Sequence, residues 1–311
     1  MKTYQKLYEI LAETDDYMSG ESIAQNLQIS RTSVWKAIQR LEKEGLIIQS
    51  VRNKGYKLIG GDLLLASKIE ELAPIKVSIN SHCQSTQLDA KRAIEQGGKP
   101  NTLYLAPFQS AGRGRFGRSY YCPPQGGIYM SLHLKPNSTY QNLPSYTLLV
   151  AGAIYKAIKD LTLIDVDIKW VNDIYYRGKK IGGILTEAIT NIETGLVTDL
   201  IIGVGLNLAI TDFPVELKDK AGSLFISSSP ITRNELIGEI WKNLYHLKED
   251  ELLYLYQQRS LILGRKVSFT QNQQHYEGIA KEITDTGQLR VQLLSGQDMW
   301  LNSGEISLDS W

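Results

Sequence analysis

Apolar residues at the start of the chain recur every three or four positions: Leu7, Ile10 and Leu11, then Ile23, Ala24 and Leu27, then Val34, Ile38 and Leu41. That period predicts three amphipathic helices, each turning one stripe towards a shared core. The short turn Gln28-Ile29-Ser30 separates the second helix from a third over Arg31 to Glu44, with Ser30 as its N-cap and Gly45 as its stop. The run LIIQSVRNKGYKL then changes to strand character on both sides of Asn53-Lys54-Gly55, the signature of a hairpin wing. Residues 1–62 are therefore expected to form a winged helix-turn-helix domain.

From 63 to 261 the strand-like runs KVSIN, TLYLA, GIYMSLHL, DVDIKW, KKIGGIL and LIIGVGLNL alternate with helical stretches such as LPSYTLLVAGAIYKAIKDL. Tight turns such as Arg177-Gly178 predict mainly antiparallel pairing, hence a central mixed or antiparallel α+β domain. Beyond 262 come RKVSFT, HYEGIAKEI, QLRVQLL and DMWLN, short strands parted by turn residues, which predict a small SH3-like β-barrel over 262–311. The expected architecture is α+β and multidomain, in keeping with a chain of 311 residues, longer than one core usually organises.

Charge sharpens the reading of the first domain. The whole chain carries a formal net charge of +1, yet Arg31 to Lys57 holds seven Lys plus Arg and two Asp plus Glu, 7 minus 2 giving +5. Arg31, Thr32, Ser33, Lys36, Gln39 and Arg40 lie off the apolar stripe of the third helix, and Arg52 and Lys54 lie at the wing. These are groove- and phosphate-contacting residue types, so this face is expected to bind DNA; a solvated face on a protein-interaction domain is the alternative. The order of elements resembles winged-helix repressors. No apolar run approaches the length of a membrane span, and the N-terminus lacks the apolar core of a secretory signal, so a cytoplasmic location with no membrane partner is expected. Two cysteines and four histidines without metal or catalytic spacing argue against a disulfide framework, a zinc site and a covalent enzyme intermediate.

The densest candidate for chemistry is Gly112-Arg-Gly-Arg-Phe-Gly-Arg118. On paper it fits GxGxxG, but a dinucleotide fingerprint must open a helix after a strand, and SYYCPPQGG follows here. A phosphate loop fails too, because no Lys-Ser or Lys-Thr follows a glycine at the required spacing. What remains is a loop bearing Arg113, Arg115 and Arg118, whose guanidinium forks suit carboxylate and phosphate oxygens. By residue type alone, an anion site and a solvated basic loop both stay open. Gly182 and Gly183 fall within a strand, either for close approach of a ligand or backbone or as a bulge. Ser85, Thr86, Gln87 and Gln109 offer hydroxyl and amide groups, with helix capping the other reading for Ser85.

FQSAGRGRFGR, IKWVNDIYYRGKKIGGILTE and IIGVGLNL, in this order, resemble biotin protein ligases, where a GRGRxGR loop, a KWPND segment and a KxxGIL strand recur. With the winged helix in front and the barrel-like tail behind, the resemblance extends over essentially the whole chain, to the bifunctional ligase and biotin-operon repressor. Two positions depart from that pattern. Gln87 stands where STN is frequent, and a glutamine can still hydrogen-bond a ureido group; Val171 replaces the usual proline.

The resemblance implies an ATP-dependent ligase that forms biotinyl-5'-AMP and passes biotin to a lysine of biotin carboxyl carrier protein. It further implies operator DNA as a partner, a homodimer when ligand is bound, and Mg2+ beside the ATP. Arg115 and Lys169 would be catalytic. Ser85, Thr86, Gln87, Gln109, Arg113, Gly114, Arg115, Lys169, Gly182 and Gly183 would bind biotin. Arg113, Arg115, Arg118, Asn172 and Asp173 would lie at the ATP phosphates, with no direct protein ligand to a metal assigned. Trp170 is expected in the core; for Lys179 and Lys180, a role at this site and a merely solvated hairpin end both stay open. Two rivals stand beside this reading: a small-molecule sensor without catalysis, and a lipoate ligase.

Overall fold

The computed structural model describes residues 1–302, 304 and 306–308. Their contacts form two compact units, Met1–Leu65 with Pro124–Gly126, and the remainder.

In the first unit, α1 (Thr3–Ala12), α2 (Gly20–Leu27) and α3 (Arg31–Lys43) precede a hairpin of β1 (Ile47–Val51) and β2 (Gly55–Gly60). The caps follow the sequence: Ser19 Oγ accepts from Ser22 N at 3.0 Å, and Ser30 Oγ accepts from Ser33 N at 3.1 Å. Leu7, Leu11, Ile23, Val34, Ile38 and Leu41 are buried in one cluster. Leu63 and Leu65 join that cluster, which is why the unit runs past the expected boundary at residue 62. The wing turn carries Asn53 at φ 64° and Gly55 at φ 114°, the left-handed conformations that these residue types tolerate.

The second unit is built on an eight-stranded sheet. Its strands are β3 (Lys76–Ile79), β4 (Thr102–Ala106), β5 (Gly127–Leu134), β6 (Ser138–Thr139), β7 (Asp167–Lys169), β8 (Asp173–Tyr176), β9 (Lys179–Thr190) and β10 (Leu196–Asn207). The order is β3-β4-β5-β10-β9-β8-β7, with β6 paired to β10. Only β3 and β4 pair in parallel among these strands, joined through α5 (Thr86–Glu95); every other pair is antiparallel. β5 and β10 read as nearly unbroken apolar runs because both lie mid-sheet and are buried almost throughout.

The remaining helices are α4 (Ala66–Glu70), α6 (Tyr146–Thr162), α7 (Arg233–His246) and α8 (Glu249–Gln258). Of these, α6 packs against α7, α8 and β9. The tail forms a five-stranded antiparallel sheet in the order β14-β13-β12-β11-β15, from β11 (Lys266–Gln271), β12 (Gln274–Ile283), β13 (Leu289–Leu293), β14 (Asp298–Leu301) and β15 (Ser307–Leu308). It stays with the second unit through specific bonds: Trp170 Nε1 donates to Gly287 O at 3.0 Å, and Gln257 Nε2 donates to Ile283 O at 2.8 Å. Trp170 is thus a core residue, 3% exposed. The last three residues of the expected 262–311 barrel lie outside the described residues.

Candidate active site

One cavity of about 700 Å3 opens in the second unit. The start of α5 contributes Ser85, Thr86 and Gln87; the loop after β4 contributes Gln109, Arg113, Gly114, Arg115 and Arg118; the β7–β8 hairpin contributes Lys169, Asn172 and Asp173; and β9 contributes Gly183. Segments far apart in sequence therefore bring twelve of the expected site residues to one wall system.

The arginine loop has a definite fold. Gly114 N donates to Arg118 O at 2.8 Å, and Phe116 turns the chain at φ 57°. The Arg115 guanidinium sits over the Phe116 ring, 5.0 Å from its centroid, and donates to Asn172 Oδ1 at 2.9 Å. Asn172 in turn donates through Nδ2 to Ile184 O at 2.9 Å. Asn172 thus links the Arg115 guanidinium to Ile184 of β9 while lining the cavity, with a second amide N–H beyond these bonds.

Lys169 closes β7, with Nζ 5.9 Å from the centroid of the Tyr175 ring. Burial pushes the Tyr175 hydroxyl up to about 12, so that ring stays neutral beside the lysine. Lys180, one of the two hairpin lysines left open, lines the cavity and pairs with Asp173 at 2.6 Å. Lys179 lies outside the cavity wall and donates to Lys218 O at 2.7 Å.

A second, mutually bonded group of cavity residues is neutral and polar. Gln109 Oε1 accepts from Thr86 N at 2.7 Å, and Thr86 Oγ1 meets Ser131 Oγ at 2.8 Å. Gln109 Nε2 donates to Cys122 Sγ at 3.1 Å; burial pushes that thiol up to about 11, which keeps it protonated and unreactive at neutral pH. Ser85 is the N-cap of α5, yet its side chain makes no capping bond.

Gly182 is corrected by the geometry. It lies outside the cavity wall, and a Cβ there would approach Leu206 Cδ2 to 2.4 Å and Gly205 O to 2.9 Å. Close strand packing, and not a ligand, demands this glycine. Gly182→Ala is expected to destabilise the fold by about 1–3 kcal/mol through overpacking, read as a lower urea midpoint. Unchanged stability would remove the packing argument.

Sequence reasoning missed Tyr120, Gly203 and Gly205, which also line the cavity. Gly203 and Gly205 carried a readable signal, a two-residue spacing that puts both on one face of β10. Gly205 pairs directly with Gly183, and a Cβ at 205 would lie 2.6 Å from the Tyr120 ring. His133 is buried and meets Asp199 Oδ1 at 2.8 Å, outside the residues lining the cavity.

In the first unit, Arg31, Thr32, Lys36, Gln39 and Arg40 of α3 and Arg52 and Lys54 of the wing are exposed, with Ser33 half-buried. Arg40 is paired with Glu44 and Gln39 donates to Glu42 at 2.9 Å, leaving the start of α3 the more open part of that face. Trp35, unremarked in the sequence, is 54% exposed on the same helix.

Residues 81–207 match the Biotin/lipoate A/B protein ligase family, residues 4–57 an HTH domain, and residues 262–309 the Biotin protein ligase C terminal domain. The chain is 38% identical over 228 residues to the bifunctional ligase/repressor BirA of Bacillus subtilis, covering 70% of this chain and 69% of that one. It belongs to the BirA family. The Escherichia coli BirA is 28% identical over 319 residues, covering 98% of this chain and 97% of the relative. The biotin protein ligase of Aquifex aeolicus, solved in complex with biotin and ATP, aligns with a TM-score of 0.62 at 28% identity over 75% of this chain and 97% of that one. This BirA-family chain holds the expected kinds of element: a winged helix-turn-helix, an α+β sheet and an antiparallel tail sheet. None of its described helices is long and apolar enough to cross a membrane.

Proposed function

We propose that this protein activates biotin with ATP, transfers the biotinyl group to a lysine of a carrier protein, and represses transcription according to its ligand state. The observation that carries the ligase reading is one cavity joining a neutral polar end, at Thr86, Gln87 and Gln109, to a cationic end at Arg113, Arg115, Arg118 and Lys169. A ureido ring suits the first, and a carboxylate meeting a triphosphate suits the second.

A carboxylate is a poor acylating agent. Its oxygen attacks the α-phosphorus, the bond to pyrophosphate breaks, and biotinyl-5'-AMP results. A carrier lysine amine then attacks the acyl carbonyl, AMP leaves, and the amine proton is lost to solvent. Lys169 and Arg115 neutralise charge where carboxylate and α-phosphate meet, while Arg113 and Arg118 hold the phosphates. Asp173 is a cavity carboxylate able to offer Mg2+ an oxygen, and the described residues hold no cluster of three metal-ligating side chains. The remaining oxygens for such an ion would come from the triphosphate and water.

In domain terms, 1–62 would read DNA, 63–261 would carry the ligation, and 262–311 would assist it. Pyrophosphate release that requires biotin supports the ligase reading, release that requires lipoate favours the rival acid, and no release with either acid favours a non-catalytic sensor.

One winged helix reads only a half-site, so repression calls for two copies held by symmetry. The adenylate-loaded protein is expected to dimerise and to shift a palindromic operator, while the unliganded protein stays largely monomeric and binds DNA weakly. Sedimentation and gel shifts with and without biotin plus ATP check this. Equal dimer fractions and equal DNA affinity would remove the switch and leave the ligase intact.

A further inference from the structure

Gln87 carries a bare acceptor. Its Nε2 donates to Glu187 Oε2 at 2.8 Å and towards Leu185 O at 3.3 Å, which commits the amide nitrogen to one side. Its Oε1 is buried with no hydrogen-bond partner among the described residues. That oxygen faces Gly203, where a Cβ would lie 3.0 Å from it, and both residues line the cavity. Buried acceptors are normally satisfied, and an exception inside a binding cavity points to a ligand donor.

Glu187 lies one hundred residues from Gln87 in sequence. A carboxylate accepts and cannot donate, so beside Glu187 the amide nitrogen must turn to that carboxylate and the amide oxygen towards Gly203 of the cavity wall. Lys91 Nζ holds the other carboxylate oxygen, Glu187 Oε1, at 2.9 Å. Without that carboxylate, only the longer bond to Leu185 O at 3.3 Å would hold the nearly isosteric amide in this orientation, and the flipped one would set an N–H against a ligand N–H.

We infer that Glu187, held by Lys91, is a positioning residue that fixes the Gln87 amide as an acceptor for a ligand N–H, and so selects a cyclic urea. The inference rests on the biotin reading proposed above. The Gln87 departure from the frequent STN pattern gains a physical role, because the longer side chain reaches Glu187 while its oxygen stays against Gly203 of the cavity wall.

The test is direct binding of biotin and of its two singly ureido-N-methylated isomers to the full-length protein without ATP, in wild type and in Glu187→Gln. In the variant a carboxamide replaces the carboxylate and serves either orientation of Gln87. Biotin affinity is expected to fall about tenfold, while affinity for the isomer methylated at the nitrogen facing Gln87 stays within about twofold. The preference for biotin over that isomer therefore shrinks about tenfold, and KM for ATP does not move. Lys91→Met, which leaves the carboxylate in place but unanchored, shifts the same ratio in the same direction by less. A purely structural role for Glu187 would weaken biotin and both isomers together, so an unchanged ratio overturns the inference. A wild-type protein that binds no biotin overturns the biotin reading itself, and this inference with it.

Discussion

Replacing Lys169 by alanine is expected to slow biotinyl-5'-AMP formation by about 10^2–10^3-fold while leaving biotin affinity within a few-fold of wild type. The lysine closes β7 and lines the cavity together with Arg113, Arg115 and Arg118. Charge accumulates on the α-phosphate oxygens only as the carboxylate adds, so a cation placed for that moment stabilises the transition state far more than bound biotin. Single-turnover formation of the adenylate, set beside equilibrium biotin binding, separates the two quantities. Equal losses in both would make Lys169 a binding residue, and wild-type turnover would remove it from the mechanism.

Arg115→Ala is expected to produce a folded protein that loses its intermediate roughly ten- to a hundredfold faster, the range of one charge-assisted hydrogen bond to a phosphate. The Arg115 side chain is fixed from two sides, by the Phe116 ring and by Asn172 Oδ1 at 2.9 Å. Asn172→Ala removes the second support while keeping the guanidinium, so it should raise the release rate in the same direction by a smaller factor. Release of preformed radiolabelled adenylate into solution reads both. An unchanged rate in Arg115→Ala would detach the loop from retention of the intermediate.

Much of this was legible in the chain. The three-and-four spacing of Leu7, Leu11, Val34, Ile38 and Leu41 specifies the winged-helix core because helix period and burial coincide there. The strand runs were equally plain, since turn residues such as Arg177 and Gly178, both at positive φ, mark where the chain reverses. The cavity wall was legible as motif residues, though not as geometry.

Contacts between distant segments left no local trace. Gln87 and Glu187 meet only because α5 packs over β10 and β9 pairs beside it. The same holds for Asn172, whose bonds to Arg115 and to Ile184 O join the loop after β4 to β9. Gly182 misled for a related reason. A strand glycine signals close approach, but only the register Gly182↔Leu206 reveals that the approaching group is the neighbouring strand.

The central claim, that one cavity joins biotin to ATP and hands the product to a lysine, is tested most directly by transfer of radiolabelled biotin to a purified biotin carboxyl carrier domain, with and without ATP. Label is expected on the carrier only when ATP is present, and none on a carrier whose acceptor lysine is replaced by arginine. No transfer by the folded, biotin-binding wild-type protein with ATP and Mg2+ present would contradict it.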